Sequence, residues 1–470
     1  MSMFVGREQE MGFFEDRYKA PGGQLVVLYG RRRVGKTEFL QQFCSEKPHV
    51  YYTCREIHDS LQLAAFSRRV LNRGSAAAKY IDSFGSWETA LLEVAELPTN
   101  GKKQLLIVDE FPYMCKGNPS IPSILQVLWD EGLKNRNLMI VLCGSAMEFI
   151  EKKILSEKTP LYGRATGIYK MGELPFWDAI KFFPNYSAVD KFMAYAVLGG
   201  IPHYLRQFDP GASLGDNIVR NVLTKGSVLY SEVEFLIRQE LREPAFYNAL
   251  IEAVALGSTK LGDIHSKTQL ERSKISVYLK NLIGLSILER EFPVLSSGKE
   301  QASVSRGLYR VTDSFFRFWF SFVSGNISDL EAGGGEGVYA DLVAPQLNAF
   351  ASPVFEQVCR NFIHMKSIDG RTPFRFAKIG RWWWKDAEID IVAVGKDPSD
   401  LLVGECKFQN HEMDTKDYSH LHKKAALLKS GVNAHLALFS KSGFSKSLTD
   451  QSEGNDMLRL YSLDDVVAEN

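Results

Sequence analysis

The stretch Leu25-Val26-Val27-Leu28-Tyr29-Gly30-Arg31-Arg32-Arg33-Val34-Gly35-Lys36-Thr37 constrains this chain more than any other. Its first five residues are apolar or aromatic without a break, the pattern of a strand buried on both faces. Gly-x-x-x-x-Gly-Lys-Thr follows, and Glu38-Phe39-Leu40-Gln41-Gln42-Phe43 reads as a helix. Strand, glycine loop and helix in that order make a phosphate-binding loop. Gly30 and Gly35 allow turns in which backbone N–H groups point inward around an anion. The helix opening at Lys36 adds its positive end. Residues Gly30, Arg31, Arg32, Arg33, Val34 and Gly35 would line the phosphates, Lys36 would reach the outer ones, and the Thr37 hydroxyl would ligate magnesium. ATP and Mg2+ are the expected ligands.

Leu105-Leu106-Ile107-Val108-Asp109-Glu110 supplies the second signal, about seventy residues further on. An apolar run ending in acids is a buried parallel strand whose carboxyl end meets a ligand. Asp109 is expected to hold magnesium through water and Glu110 to polarise the attacking water. His49 to Thr53, Leu138 to Ser145 and Gly167 to Met171 read as further strands, with helices near Ser60 to Leu71 and Trp87 to Leu97. Separation of the two motifs by an intervening strand predicts a parallel sheet of order 5-1-4-3-2 with right-handed crossovers. Arg164, on the loop before the last of these strands, could reach a γ-phosphate in cis or from a neighbouring copy, or pair with a surface acid.

Composition sets the outer limits. A chain of 470 residues exceeds one core and suggests about three domains. Lys+Arg and Asp+Glu balance at 56 each, so no global charge draws the chain to nucleic acid or an anionic membrane. The cysteines (44, 54, 115, 143, 359 and 406) form no Cys-x-x-Cys pair, which argues against zinc or a disulfide framework and for a reducing cytoplasm. Glu8 and Glu10 with no apolar run exclude a signal peptide at the start. Phe315 to Val323 is too short for a bilayer and contains Arg317, so no membrane is expected.

From 173 to 237 the pattern is helical, interrupted at Leu198-Gly199-Gly200-Ile201-Pro202 by what the glycines and proline alone explain as a helix stop and turn. Residues 238–325 read as three short helices and two strands (Ser286 to Phe292, Gly307 to Val311) joined by a polar turn through Ser296, Ser297, Gly298 and Lys299, the order of a winged helix. Arg272, Lys274 and Lys280 would face phosphates, though acids partly offset the patch. The run Phe315 to Phe320 fits an all-round buried helix better than a stacking surface. Residues 326–345, with Gly333-Gly334-Gly335, read as a linker.

The last part, 346–470, has a helix from Pro353, strands at Ala387 to Val394 and Leu401 to Phe408, a helix near Asp414 to Lys429 and a strand at His435 to Phe439. Alternation puts Glu388 and Asp390 on one face, and Glu405 with Lys407 on one face. Asp390 and Glu405 could share a second divalent metal while Lys407 positions a water. The competing reading keeps these residues for internal salt bridges.

Phe4 to Glu8, Gly30 to Thr37, Asp109-Glu110, Gly144-Ser145, Tyr162-Gly163-Arg164 with Leu174-Pro175-Phe176, and Leu198 to Pro202 together resemble the archaeal-type ATPases, on the border of the AAA+ and STAND groups. The resemblance implies an α/β P-loop ATPase core (1–172), a helical lid (173–237), a winged helix with connecting helix (238–325), a linker (326–345) and a terminal α/β domain (346–470). It further implies that Phe4 to Glu8 and Pro202 approach the adenine, and that Ser145 senses the γ-phosphate, a residue that could equally cap the next helix. Asp390, Glu405 and Lys407 resemble the Asp…Glu-x-Lys plan of restriction-endonuclease-like nucleases, in which a helix acid, here Glu356, supports the metal. The expectation is an ATP-hydrolysing protein that gates a nuclease acting on DNA or RNA. The alternative is an ATP-dependent switch whose winged helix and inactive terminal domain dock a protein partner, with an oligomer open in either case.

Overall fold

A computed structural model describes residues 4–296, 307–397, 399–428 and 434–469. Residues up to Leu174, with Ile201–His203, form one compact unit, and Pro175–Gly200 with Tyr204 onward form a second.

The first unit is built on five parallel strands: β1 (Gln24–Tyr29), β2 (His49–Thr53), β3 (Gln104–Asp109), β4 (Leu138–Gly144) and β5 (Gly167–Lys170). Their order is β2-β3-β4-β1-β5, the expected order read from the other edge. Burial explains which strands sit centrally. Every residue of β1, β3 and β4 is buried, whereas β2 and β5 mix buried with partly exposed positions. Continuous apolar runs need cover on both faces and so take the middle. Beside the sheet, Phe14 is fully buried, with its ring 5.0 Å from Phe39 and 5.3 Å from Phe43. Phe39 and Phe43 belong to the helix Lys36–Cys44, so this cluster seats the helix that opens the glycine loop.

The second unit contains a two-stranded antiparallel sheet, β6 (Leu288–Glu291) with β7 (Leu308–Val311), after helices Pro244–Ala255, Leu261–Thr268 and Arg272–Gly284. Of the polar turn expected to join these strands, Ser297, Gly298 and Lys299 lie outside the described residues, as does Lys429 at the end of the later helix. A mixed sheet follows, in the order β12-β11-β10-β9-β8, from β8 (Lys378–Trp384), β9 (Ala387–Val394), β10 (Leu401–Lys407), β11 (His435–Ser440) and β12 (Leu458–Ser462). The pairs β8–β9 and β9–β10 are antiparallel, and β10–β11 and β11–β12 are parallel. Phe315, Phe316, Phe318, Trp319 and Phe320 are all buried, as an all-round apolar helix requires. Arg317 is carried inside by donating to the Phe350 carbonyl at 2.7 Å while stacking over its ring at 4.1 Å. Among the described residues no helix is long and apolar enough to cross a membrane.

Two expectations differ from what is found. The stretch 326–345 is not an open linker: it is mostly helical, and Leu330, Val338 and Val343 are buried. Its glycines serve packing. A Cβ on Gly334 would meet the Asp329 carbonyl oxygen at 2.9 Å, and one on Gly335 the Leu223 carbonyl oxygen at 3.1 Å. The segment expected as part of a separate lid also shares a core with the far end of the chain. Trp177 Nε1 donates to the Val466 carbonyl at 2.8 Å, and the Phe192 ring lies 4.6 Å from Phe408 and 5.5 Å from Phe355.

Phe14→Ala should destabilise the first unit by about 3–5 kcal/mol, the usual cost of emptying a large buried aromatic site. Urea unfolding checks it, and a loss under about 1 kcal/mol would place the helix-seating contacts elsewhere.

Candidate nucleotide site

β1 delivers the chain into a tight loop at the carboxyl edge of the sheet. A Cβ on Gly30 would stand 2.2 Å from the Met171 carbonyl oxygen, so only glycine lets β5 and the loop approach so closely. Gly35 adopts φ +93°, and Arg33 is a non-glycine residue with φ +71°. Lys36 is 6% exposed, and its ammonium donates to the Gly30 and Arg31 carbonyls at 2.8 and 2.9 Å. Burial pulls its pKa below the ordinary lysine range, while Cys143, Glu110 and Asp109 oppose that shift. The lysine thus sits folded over the loop, with only carbonyl oxygens as partners that an anionic oxygen could replace.

β3 ends in Asp109, which is 2% exposed. Its Oδ2 accepts from the Thr37 hydroxyl at 2.9 Å and from the Tyr51 hydroxyl at 2.9 Å, and its Oδ1 accepts from the Glu110 N–H at 3.0 Å. Burial, then the Asp109 charge, holds the Tyr51 phenol protonated far above its usual range. From β4, the fully buried Cys143 thiol is pushed up by burial first and Asp109 second. Glu110 occupies a left-handed conformation, φ 55° and ψ 43°, and its carboxylate accepts from the Ser145 hydroxyl at 3.0 Å. The next helix is entered through Ala146 with no side-chain cap, so the serine turns to the glutamate rather than capping. A hydroxyl and a carboxylate meeting beside a phosphate loop are hard oxygen donors of the kind magnesium takes.

Two more pieces close the site. Pro202 lies against the loop, its Cγ 3.7 Å from where a Gly35 Cβ would stand. Arg7, 5% exposed, donates to the Val34 carbonyl at 2.8 Å and the Gly172 carbonyl at 2.9 Å and pairs with Glu10 at 2.7 Å. It therefore ties the glycine loop to the chain leaving β5.

Arg164 does not join this constellation. Its guanidinium grips Asp130 through contacts of 2.6 to 3.1 Å. It precedes β5, whose Gly167 pairs with Val26 near the start of β1. At about 3.3 Å per residue, roughly 13 Å of strand separate Val26 from Gly30. Of the readings open from sequence, action on a phosphate of the same chain fails on this distance, and pairing with a surface acid, Asp130, is what is found in the single chain.

In the second unit, Glu356, Glu388 and Asp390 each offer an oxygen within 4.8 Å of the others. Asp390 accepts from the Cys406 N–H at 2.9 Å. Burial, followed by the neighbouring carboxylate, raises Glu356 (beside Asp390) and Asp390 (beside Glu405) above the usual acid range. Glu356, Glu388 and Glu405 have built-in cations. Arg381 falls at the bulge in β8, is 5% exposed, and pairs with Glu356 and Glu291 at 3.3 Å each and with Glu388. Glu405 pairs with Lys407 at 2.9 Å and with Lys424 at 2.8 Å. Arg272, Lys274 and Lys280 are exposed on the helix Arg272–Gly284.

Residues 4–208 match a family of ATPase domains predominantly from Archaea, and residues 319–419 match a family of archaeal and bacterial proteins of unknown function. An uncharacterized protein of Methanocaldococcus jannaschii is 31% identical over 429 residues, covering 91% of this chain and 92% of the relative. An uncharacterized ATP-binding protein of the same organism is 44% identical over 45 residues, 10% of this chain and 76% of its own. Among solved structures, the Walker-type ATPase of Pyrococcus abyssi aligns with a TM-score of 0.52 at 20% identity, over 67% of this chain and 96% of its own, a likeness of fold.

Gly30→Ala should force the loop and β5 apart. The expected result is a lowered melting temperature and at least a tenfold loss of nucleotide affinity, read by thermal shift and by fluorescence titration.

Proposed function

Because the chain belongs to the family of P-loop ATPases found predominantly in Archaea, we propose that it binds ATP with magnesium at Gly30 to Thr37 and hydrolyses it. One observation carries this reading: Lys36, Thr37, Asp109, Glu110 and Ser145 form a connected set at one sheet edge, in contact through the Thr37–Asp109 and Ser145–Glu110 hydrogen bonds. Lys36 exchanges its carbonyl partners for outer phosphate oxygens, and the loop N–H groups and the helix end take the rest of the charge. Thr37, with Asp109 through water, would hold magnesium, which would supply charge to offset what develops on the phosphate oxygens. Glu110 orients the water whose oxygen bonds the γ-phosphorus as the bond to the bridging oxygen breaks. Its left-handed backbone and the Ser145 hydroxyl fix where that carboxylate points, and Ser145 thereby senses the γ-phosphate side of the site. Pro202 bounds the pocket beside Gly35. Six buried free thiols favour a reducing cytoplasm as the location.

For the second unit the observations favour a switch that docks a partner over a nuclease. Helix, helix, helix and hairpin keep the winged-helix reading, with Arg272, Lys274 and Lys280 as its candidate nucleic-acid contacts. A metal-dependent nuclease at Glu356, Asp390, Glu405 and Lys407 would have to displace Arg381 and free Glu405 from two lysines. Those pairs offset the charge of Glu356 and Glu405 from within.

Lys36→Ala should abolish ATP binding, and Glu110→Gln should keep binding but reduce hydrolysis about 100-fold or more, a range typical of losing a water-positioning base. Equilibrium binding beside a phosphate-release assay checks both, and hydrolysis at the wild-type rate in Glu110→Gln would remove that residue from its role. DNA and RNA panels with Mg2+ or Mn2+ should remain uncut in every nucleotide state. Cleavage lost in Lys407→Ala would instead establish the nuclease.

A further inference from the structure

Tyr51 touches the acid at the end of β3, and no motif assigns it. β2 and β3 pair in parallel, with Tyr51 beside Ile107 and Thr53 beside Asp109. The phenol spans that two-residue offset and places its hydroxyl 2.9 Å from Asp109 Oδ2. The same oxygen takes the Thr37 hydroxyl at 2.9 Å, and the other oxygen takes the Glu110 N–H. These donors, which the Cys143 thiol joins from β4, differ in what holds them. Thr37 starts the helix after the glycine loop, so its position follows the loop and whatever occupies it. The Glu110 N–H follows a strained left-handed residue. Tyr51 comes from a sheet strand in register with β3, as does the weaker thiol donor Cys143 on the other side, so its position is set by the sheet and not by the glycine loop.

We propose that Tyr51 is a positioning residue for the magnesium-bearing carboxylate. Its hydroxyl fixes the rotation of Asp109 about its Cβ–Cγ bond, so that Oδ2 stays aimed at Thr37 and the remaining lone pairs face the metal's water shell. This rests on the ATPase reading above. Outer partners that orient a ligating group change metal affinity or activity by about 10–100-fold when removed.

Tyr51→Phe removes one oxygen and leaves the ring. Binding of a fluorescent ATP analogue is measured in EDTA and across a Mg2+ titration, alongside the Mg2+ dependence of hydrolysis. In EDTA the variant should bind as wild type does, which also reports that it is folded. In Mg2+ the half-saturating concentration should rise about tenfold or more, with kcat reduced and the KM for ATP at saturating Mg2+ nearly unchanged. On an Asp109→Asn background, adding Tyr51→Phe should change nothing further. A wild-type Mg2+ dependence, an equal loss in EDTA, or an undiminished effect on the Asn background each overturns the proposal. Failure of the ATPase reading looks different: the wild-type chain would then bind no nucleotide, or Lys36→Ala would bind it unchanged.

Discussion

A carboxylate buried as deeply as that of Asp109 needs hydrogen-bond donors around it, and the first unit's sheet order supplies them. β2 stands on one side of β3 and brings a phenol, while β4 on the other brings Cys143 and Ser145. β1, one strand further, carries the glycine loop whose following helix contributes Thr37. A sheet with β1 next to β3 would leave no strand between loop and acid for the serine that meets Glu110. Topology and electrostatics are here one constraint: the strands are fully apolar along their length and release polarity only at the carboxyl edge, where the acid, the lysine and the loop share one another's charge.

Much of this was legible in the sequence because its signals are local. A glycine loop flanked by a strand and a helix spans few residues, and Leu105 to Asp109 shows its burial in its composition. Tyr51 and Arg7 were not legible as site residues, since each acts across a gap. Tyr51 reads as an ordinary β-former in His-Val-Tyr-Tyr-Thr, and only the β2–β3 register shows which tyrosine meets the acid. Arg7 sits in a recognisable segment, yet its carbonyl partners at Val34 and Gly172 lie far along the chain. Arg164 erred the other way. Its position between two strands suggested the phosphate edge, but a loop that leads into a parallel strand runs along the opposite edge.

The second unit tests the use of glycine and acid as signs. Gly333-Gly334-Gly335 looks like slack chain, yet two of the three are required by carbonyls that crowd where a side chain would begin. Glu405 lies near both Asp390 and Lys407, and Glu356, the acid that the resemblance named, lies near Asp390. What alternation could not show is Arg381. A bulge breaks the period of β8 at that point and turns the guanidinium into the acids, with Glu291 of β6 as a further partner. Three elements therefore converge on one cation, and the Val294 N–H donating to the Arg381 carbonyl at 2.8 Å extends the chain after β6 along the same strand.

The contacts of Trp177 and Phe192 impose an order on how the chain is made. These side chains leave the ribosome early, but their partners Phe355, Phe408 and Val466 are translated more than 150 residues later. Until then Trp177 and Phe192 have their shared neighbour Phe176 but lack these later partners. The glycine loop's contacts within its own unit, by contrast, are all made by residues translated before 204. A chain cut near residue 208 would lack Phe355 and Phe408, the partners of Phe192.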